Sequence, residues 1–254
     1  MREQPKFKGH LLIALTSYRM EVDQRVTDAM ERAQHELMAQ GWLSTRVTYG
    51  SADLCDARNT LASQFYATPE YTNILLWDSD VSCESGAVTR MVNHNVSFVC
   101  GVYPLRDDSG QYPARTIPGE IECVNPVDEK PHPHGLIKLA GAPGGFMMLS
   151  RQVVERLIDA DPDNWYAQSK VTGGKAWDLF KFDVDREKHE RISEDMNLCY
   201  KWIQLGGTVW CDPHLVLHHH GFKTYSGRLI DHLKNIGRLK EIAGNGNLQG
   251  QAQA

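Results

Sequence analysis

Apolar and polar positions along the chain fall into blocks that predict alternating strands and helices. HLLIALTSY at 10–18 and NILLW at 73–77 are apolar runs of strand length. Between them, two segments have helical spacing. In the first segment, Gly41 marks the end and the apolar positions are Val22, Val26, Met30, Ala33 and Leu37. The second is predicted to begin at Asp56, as its N-cap, and to continue through ARNTLASQFYA.

The second half of the chain continues with shorter elements. LIKLAGAPGGFMML, residues 136–149, predicts two strands around a glycine-rich turn, with Ser150 as the cap of a following helix. Polar residues dominate 161–192, which we expect to be a long loop. Ser193 then opens a helix, and the short strands TVWC and HLVLHHH precede a last amphipathic helix.

These elements favour one α/β domain over residues 1–243. Strands that alternate with helices are typical of a mostly parallel sheet with helices on both faces, and the later, hairpin-like strands predict a small antiparallel extension. No linker or internal repeat divides the chain. The low-complexity segment GNGNLQGQAQA, residues 244–254, is predicted to be a disordered tail.

Composition and charge exclude several classes of protein. The 254 residues are 41% hydrophobic, enough for a sizeable core, and the net charge of −5 argues against holding nucleic acid by a global positive field. No segment approaches the roughly 20 apolar residues of a membrane span, and the apolar start is too short for a signal peptide. The 6 cysteines form no C-x-x-C pair, which favours reduced thiols and a cytoplasmic location.

The first candidate for chemistry is the pair Asp78 and Asp80, directly after the strand at 73–77. Open α/β sheets bind their ligands at the carboxyl ends of their strands. Two carboxylates this close repel each other unless a cation lies between them, and a divalent ion there would also neutralise a diphosphate. The same Asp-Ser-Asp is equally typical of a helix cap or a turn.

Three later motifs also have both a chemical and a structural explanation. SED at 193–195 places carboxylates in the first turn of a helix, where the helix dipole already favours them. VLHHHG at 216–221 offers imidazole ligands, of which at most two can face one site because side chains alternate along a strand. The glycines of AGAPGGFMML, 140–149, either form a turn or let the backbone approach a sugar or phosphate.

The order of these motifs, together with CDARNTLASQFY at 55–66, resembles that of the GT-A glycosyltransferases. These are sugar-nucleotide-dependent transferases with a Rossmann-like fold and a D-x-D metal motif. The resemblance covers roughly residues 10–221. The matching segments are IALTSY, ARN, LLWDSDV, GVYP, GGFMMLSRQVVERL, SEDMNLCYKWIQLGGTVWCDP and HHHG.

The resemblance implies a donor site for a UDP- or GDP-sugar. The end of the first strand would hold the base and ribose, ARN would lie near the diphosphate, and the paired glycines would border the sugar. The implied donor-binding residues are Thr16, Ser17, Tyr18, Arg58, Asn59, Asp78, Ser79, Gly144 and Gly145.

The resemblance also implies a metal site and a catalytic base. Mn²⁺ or Mg²⁺ would be held by Asp78, Asp80 and a histidine, with His219 favoured and its neighbours 218 and 220 left open. In inverting members of the family the aspartate of E-D takes the proton of the acceptor hydroxyl, which maps onto Asp195, while Glu194 orients it or the acceptor. The sequence does not separate inverting from retaining hexosyl- or pentosyltransferases.

The resemblance implies an acceptor hydroxyl on a glycan, a protein, or a modified base in phage DNA, and the last of these would imply a bacteriophage enzyme in the host cytoplasm. The basic residues of 222–240 could grip phosphates or form a solvated helix face. Aromatic residues in 161–192 suit an acceptor lid or simply anchor the loop. Two other functions stay open: a metal-dependent hydrolase or nuclease that uses Asp78, Asp80 and the histidines, and a non-catalytic nucleotide-sugar-binding module.

Overall fold

The computed structural model describes residues 7–119 and 121–240, and it centres on an eight-stranded sheet. In chain order the strands are β1 (His10–Ser17), β2 (Leu43–Gly50), β3 (Asn73–Asp78), β4 (Val81–Cys83), β5 (Phe98–Cys100), β6 (Arg115–Thr116), β7 (Ile137–Gly141), β8 (Phe146–Ser150), β9 (Trp165–Ala167), β10 (Lys175–Trp177), β11 (Asp183–Asp185), β12 (Glu190–Ile192), β13 (Val209–Cys211), β14 (Leu217–His220) and β15 (Thr224–Gly227). The helices are α1 (Gln24–Ala39), α2 (Leu54–Ala67), α3 (Ala87–Asn93), α4 (Arg151–Ala160), α5 (Glu194–Gln204) and α6 (Leu229–Asn235).

The central sheet has the strand order β2-β1-β3-β8-β5-β13-β7-β6. β2, β1 and β3 are parallel neighbours, as are β5 and β13, whereas β8 is antiparallel to both β3 and β5. β7 is antiparallel to β13 and β6. Among the described strands of this sheet, six therefore run in the same direction, and β7 and β8 run in the opposite one. The predicted mostly parallel α/β fold is therefore confirmed.

Helices cover both faces of the sheet because its central strands are apolar on both sides. In β1, Leu11, Ile13 and Leu15 pack in the core that contains α1 and α3. Leu12 and Ala14 point the other way, into the core that contains α2, α4, α5 and α6. This two-sided burial explains why the strand is a continuous apolar run rather than an alternating one.

Smaller antiparallel sheets complete the fold. β15, β14 and β4 form one of three strands, and the segment 161–192 folds into the hairpins β9–β10 and β11–β12. Trp177 anchors this segment, since its ring meets Tyr66 edge-on at 4.9 Å and its backbone N–H donates to Ser63 Oγ at 2.9 Å. Within the described residues, no helix combines the length and hydrophobicity that crossing a membrane requires.

The structure corrects several local predictions. The N-cap of α2 is Asp53, whose carboxylate accepts from the N–H groups of Cys55 and Asp56, so the prediction of Asp56 as the cap is wrong. The strands on either side of the glycine-rich turn do not form a hairpin, because β5 and β13 lie between β7 and β8. Strands β2 and β4 were not predicted, since one is a half-exposed edge and the other has 3 residues. The predicted tail at 244–254 lies outside the described residues.

Arg151, the first residue of α4, closes the end of α2. Its Nη2 donates to the carbonyls of Phe65 and Thr68 at 2.8 and 2.6 Å, its Nε to that of Tyr71 at 2.8 Å, and its Nη1 to that of Tyr66 at 3.3 Å. Carbonyls at the end of a helix lack their usual partners within the helix, and this one guanidinium adds a charged donor to four carbonyls in and just after the last turn of α2.

Replacing Arg151 with methionine is expected to lower the free energy of unfolding by about 2 kcal/mol, because several partly buried carbonyls lose a charged donor. Urea unfolding followed by circular dichroism measures the effect. Arg151→Lys should recover only part of it, since an ammonium cannot reproduce the planar fork of donors. The exposed Arg46 of β2 provides the matched control, and an Arg151→Met protein as stable as Arg46→Met would contradict this role.

Candidate functional site

The candidate site lies where the adjacent parallel strands β1 and β3 end. Thr16 and Asp78 are register partners there, and the Thr16 hydroxyl donates to Asp78 Oδ1 at 2.7 Å. Thr16 is 4% exposed, whereas the Asp78 side chain is 22% exposed. A carboxylate thus stands at the carboxyl edge of the sheet, held by a hydroxyl from the neighbouring strand.

Arg58 lies behind this carboxylate as a fully buried cation. Its Nη2 donates to both oxygens of Asp78, at 3.1 and 3.2 Å, and its Nη1 donates to Glu194 Oε1 at 2.6 Å. Burial alone would lower the pKa of Arg58, but the negative charges of Asp78 and Glu194 raise it above its usual value. The guanidinium therefore stays charged and ties α2 to β3 and α5.

Glu194 begins α5 and is 5% exposed. Burial raises the pKa of Glu194, the charge of Arg58 lowers it, and the nearby Asp195 raises it, with a net increase. Its hydrogen-bonded partner is Arg58, which in turn reaches Asp78. The structure therefore places Glu194 as a support for the buried arginine.

The turn before β8 passes directly over these charged groups. A Cβ at Gly144 would lie 2.6 Å from Arg58 Nη1, and one at Gly145 would lie 2.4 Å from Asp78 Oδ2 and 2.3 Å from the Tyr103 hydroxyl. The backbone N–H of Asp78 also donates to the carbonyl of Gly145 at 3.0 Å. Both glycines are needed because the chain's own side chains occupy the space that a side chain would fill.

Asp195 adjoins the same turn and is held at both carboxylate oxygens. Oδ2 accepts from the Gly144 N–H at 3.1 Å, and Oδ1 accepts from the Met196 N–H at 2.7 Å and from the Ser193 hydroxyl. Asp195 is half-buried. These donors fix the orientation of a carboxylate that still reaches the surface.

Asp80, two residues after Asp78, faces His219 of β14. Its Oδ2 lies 3.7 Å from His219 Nε2. His219 Nδ1 lies 2.9 Å from the carbonyl of Pro104, which can only accept, so Nδ1 donates to it and the Nε2 side of the ring faces Asp80. Burial alone would raise the pKa of Asp80, but His219 and the charge of Arg106 bring it below its usual value.

The other two histidines of the triplet have different partners. His218 Nε2 lies 2.8 Å from Glu84 Oε1, and His220 Nε2 lies 2.8 Å from Ser82 Oγ. Both point to the opposite face of β14, as alternation along a strand requires. Among the three histidines, His219 alone faces Asp80.

Several residues predicted to bind the donor lie at the margin of this cluster. The Ser17 hydroxyl donates to the carbonyl of Glu21 at 2.7 Å, within its own loop, and Tyr18 is 65% exposed. Ser79 contributes backbone contacts, since its N–H donates to the Thr16 carbonyl at 3.1 Å. Any donor contact of these residues would be made at the open side of the edge.

Asn59 was also predicted to bind the donor, but its side chain is buried and holds another segment of the chain. It is 1% exposed, its amide nitrogen donates to Asp178 Oδ1 at 2.9 Å, and its amide oxygen accepts from the Phe180 N–H at 2.7 Å. Asn59 thus fastens the segment at 178–180 to α2, whereas the adjacent Arg58 reaches Asp78.

Two residues of the cluster, Tyr103 and Arg106, were not predicted as site residues. Tyr103 meets the His219 ring edge-on at 4.7 Å, and burial, followed by the charge of Asp78, raises its pKa well above the usual value. Arg106 Nη1 donates to Asp80 Oδ2 at 2.6 Å. GVYP was part of the resemblance, but no local pattern indicates which residues after β5 turn back toward Asp80.

The surroundings of Asp80 offer few protein ligands for a divalent ion. No group of three or more histidine, cysteine or acidic side chains ready to hold a metal occurs in the described part of the chain. Asp80 and His219 nevertheless offer a carboxylate oxygen and an imidazole nitrogen that face each other as possible metal ligands, and the Asp80 carboxylate already neighbours the cationic side chain of Arg106. Mg²⁺-type sites commonly combine one or two protein ligands with water and substrate phosphates, so the pair fits such a shared site.

Comparison with known proteins supports the fold alone. No protein-family model matches the sequence, and no curated protein does. The crystal structure of A197 from STIV superposes with a TM-score of 0.51 at 12% identity, covering 95% of this chain and 100% of that one. GalNAc-T7, crystallised with UDP, GalNAc and Mn²⁺, gives a TM-score of 0.46 at 11% identity, and 85% of this chain spans 44% of its length.

Proposed function

We propose that this chain is a metal-dependent glycosyltransferase that moves a sugar from a nucleoside-diphosphate sugar to a hydroxyl acceptor. The observation that supports this proposal is the presence of two differently held carboxylates, Asp80 and Asp195, which both lie near enough to Tyr103 for their charges to add to the effect of burial and raise its pKa. Asp80 faces an imidazole nitrogen, whereas Asp195 is oriented by Ser193 and the backbone of Gly144. One carboxylate suits a metal-bound leaving group and the other suits proton removal.

In this proposal Asp80 and His219 would hold Mn²⁺ or Mg²⁺ together with phosphate oxygens of the donor. The bound ion would neutralise the charge that develops on the departing diphosphate. Asp78 contributes less directly, because its carboxylate is already bonded to Thr16 and Arg58. Its proposed role is to hold Thr16 and Arg58 in fixed positions beside the donor site.

The remaining donor contacts are assigned by position along the strands. Ser17, Tyr18 and Ser79 lie where β1 and β3 leave the sheet, so we assign them to the base and ribose. Gly144 and Gly145 would border the sugar through their backbone. Asn59 and Arg58 support the site from within α2.

Asp195 is the proposed general base. Its carboxylate would remove the acceptor hydroxyl proton as the oxygen forms its bond to the anomeric carbon of the sugar in an inverting transfer. The hydrogen bonds from Met196 and Gly144 hold it in one orientation, which places the accepting oxygen without further rearrangement. Glu194 acts on this step only through Arg58, as a positioning residue.

The proposal is tested by incubating the protein and Mn²⁺ with a panel of UDP- and GDP-sugars and measuring release of nucleoside diphosphate. We expect slow release from one donor, reduced on the order of 100-fold in Asp80→Ala. The exposed Asp159 of α4 provides the matched control, Asp159→Ala, which should release diphosphate at the unaltered rate. Failure to bind any nucleotide sugar, with phosphodiester cleavage that requires Asp80, would instead indicate a nuclease.

A further inference from the structure

We propose that Arg106 is an internal counter-ion that competes with the divalent cation for Asp80, so that metal binding depends on the nucleoside diphosphate. The inference rests on the proposed function and assigns a role within that site to a residue outside the sequence motifs. It makes Arg106 a positioning residue whose partner changes when the donor arrives.

The competition follows from the atom that Arg106 contacts. Its Nη1 donates to Asp80 Oδ2 at 2.6 Å, and Oδ2 is also the oxygen that lies 3.7 Å from His219 Nε2. The same nitrogen lies 3.3 Å from the carbonyl of His220. A cation shared by Asp80 and His219 would therefore compete with the guanidinium for Oδ2.

The surrounding segment holds Arg106 at this position. The N–H of Leu105 donates to the Gln111 carbonyl at 2.8 Å, which closes the segment into a compact loop. Asp108 pairs with Lys223, and the Tyr112 ring lies 5.2 Å from that of His232. The backbone that carries Arg106 is therefore fastened to the region after β14.

The guanidinium itself is free to leave without opening that loop. The Arg106 side chain is 49% exposed and Asp80 is 32% exposed, so the pair is screened by water and weak. A divalent ion that arrives alone must displace the guanidinium and leave it without an anion. When a diphosphate arrives with the ion, its oxygens offer the released guanidinium an equivalent partner, since arginine binds phosphate through paired hydrogen bonds.

The two ligands should therefore bind cooperatively. If the diphosphate favours release of Arg106, it strengthens metal binding, and by linkage the metal strengthens diphosphate binding by the same factor. Removing the guanidinium should strengthen binding of the metal alone and weaken its dependence on the diphosphate.

The experiment is a titration of the full chain with Mn²⁺, in which electron paramagnetic resonance measures the free ion, with and without UDP or GDP. For the unaltered protein we expect weak Mn²⁺ binding alone and binding at least about 10-fold tighter with the preferred diphosphate. Direct contact between the ion and the diphosphate oxygens persists in Arg106→Gln, which should bind Mn²⁺ alone about 5-fold more tightly and lose the part of the enhancement that the guanidinium supplies. Arg106→Lys, which keeps the charge, should retain part of it.

The control is Arg228→Gln. Arg228 forms a similarly exposed pair with Asp231, and its loss should leave Mn²⁺ affinity unchanged. If Arg106→Gln binds Mn²⁺ as the unaltered protein does, while Asp80→Ala has lost binding, the counter-ion role is wrong and the metal site stands. If neither the unaltered protein nor Arg106→Gln binds Mn²⁺ with any diphosphate, the metal-dependent function itself fails. Circular dichroism confirms that each variant is folded.

Discussion

Replacing Asp195 with asparagine is expected to lower the rate of sugar transfer by about 1000-fold, the range typical of losing a general base. An amide cannot take the acceptor proton at neutral pH. Donor binding should change little, because the proposed ligands of the donor and metal are other residues. Single-turnover transfer measures the rate, and the affinity for the nucleoside diphosphate is measured separately.

The same substitution removes one hydrogen-bond acceptor, so a control must separate chemistry from local disruption. Asp195 accepts from the N–H groups of Gly144 and Met196 with different oxygens, and asparagine offers only one oxygen. Ser193→Ala removes the hydroxyl that donates to Asp195 Oδ1 but keeps the base, and we expect it to retain most of the transfer rate. Transfer by Asp195→Asn at the rate of Ser193→Ala would exclude the proposed base.

Replacing Arg58 with methionine is expected to lower the free energy of unfolding by about 3 to 5 kcal/mol, the largest stability effect we expect in this chain. The substitution leaves the carboxylate of Glu194, 7% exposed, without the cation that balances it. Urea unfolding measures the loss.

A double variant tests the cause of this loss. Arg58→Met combined with Glu194→Gln removes the buried charge together with its partner, so it should be more stable than Arg58→Met alone. Glu194→Gln alone should cost less than Arg58→Met, since Arg58 keeps Asp78 as a partner. A double variant whose losses simply add would show that the ion pair is not what stabilises this region.

The sequence predicted the parts of the fold that depend on local patterns. The apolar runs located β1 and β3, because a strand that is buried on both faces is a continuous run of apolar residues. The helical spacing located α1, because a helix that buries one face repeats its apolar residues once per turn. Local patterns contain no information on which strands become neighbours, and the insertion of β8 between β3 and β5 was missed for that reason. Asp53 and Asp56 have the same chemistry, so the choice of N-cap depended on where the backbone turns.

The candidate site shows the same division. Asp78 and Asp80 were located by following the end of a buried strand, and alternation along β14 limited the histidines without fixing their register. The partners of Arg58 lie 20 and 136 residues away, a separation that only the folded chain closes. Tyr103 and Arg106 belong to an irregular segment with no period of its own, and so their direction could not be predicted.

The glycine turn before β8 has a consequence for how proteins of this kind can evolve. Because β8 runs against β3, it begins beside the end of β3 and its preceding turn rests on Arg58 and Asp78. Any side chain introduced at Gly144 or Gly145 would first disturb these residues, whatever it offered to a sugar. Under the proposed function, new donor preferences would therefore arise in loops that no buried charge supports, such as the exposed residues that follow β1.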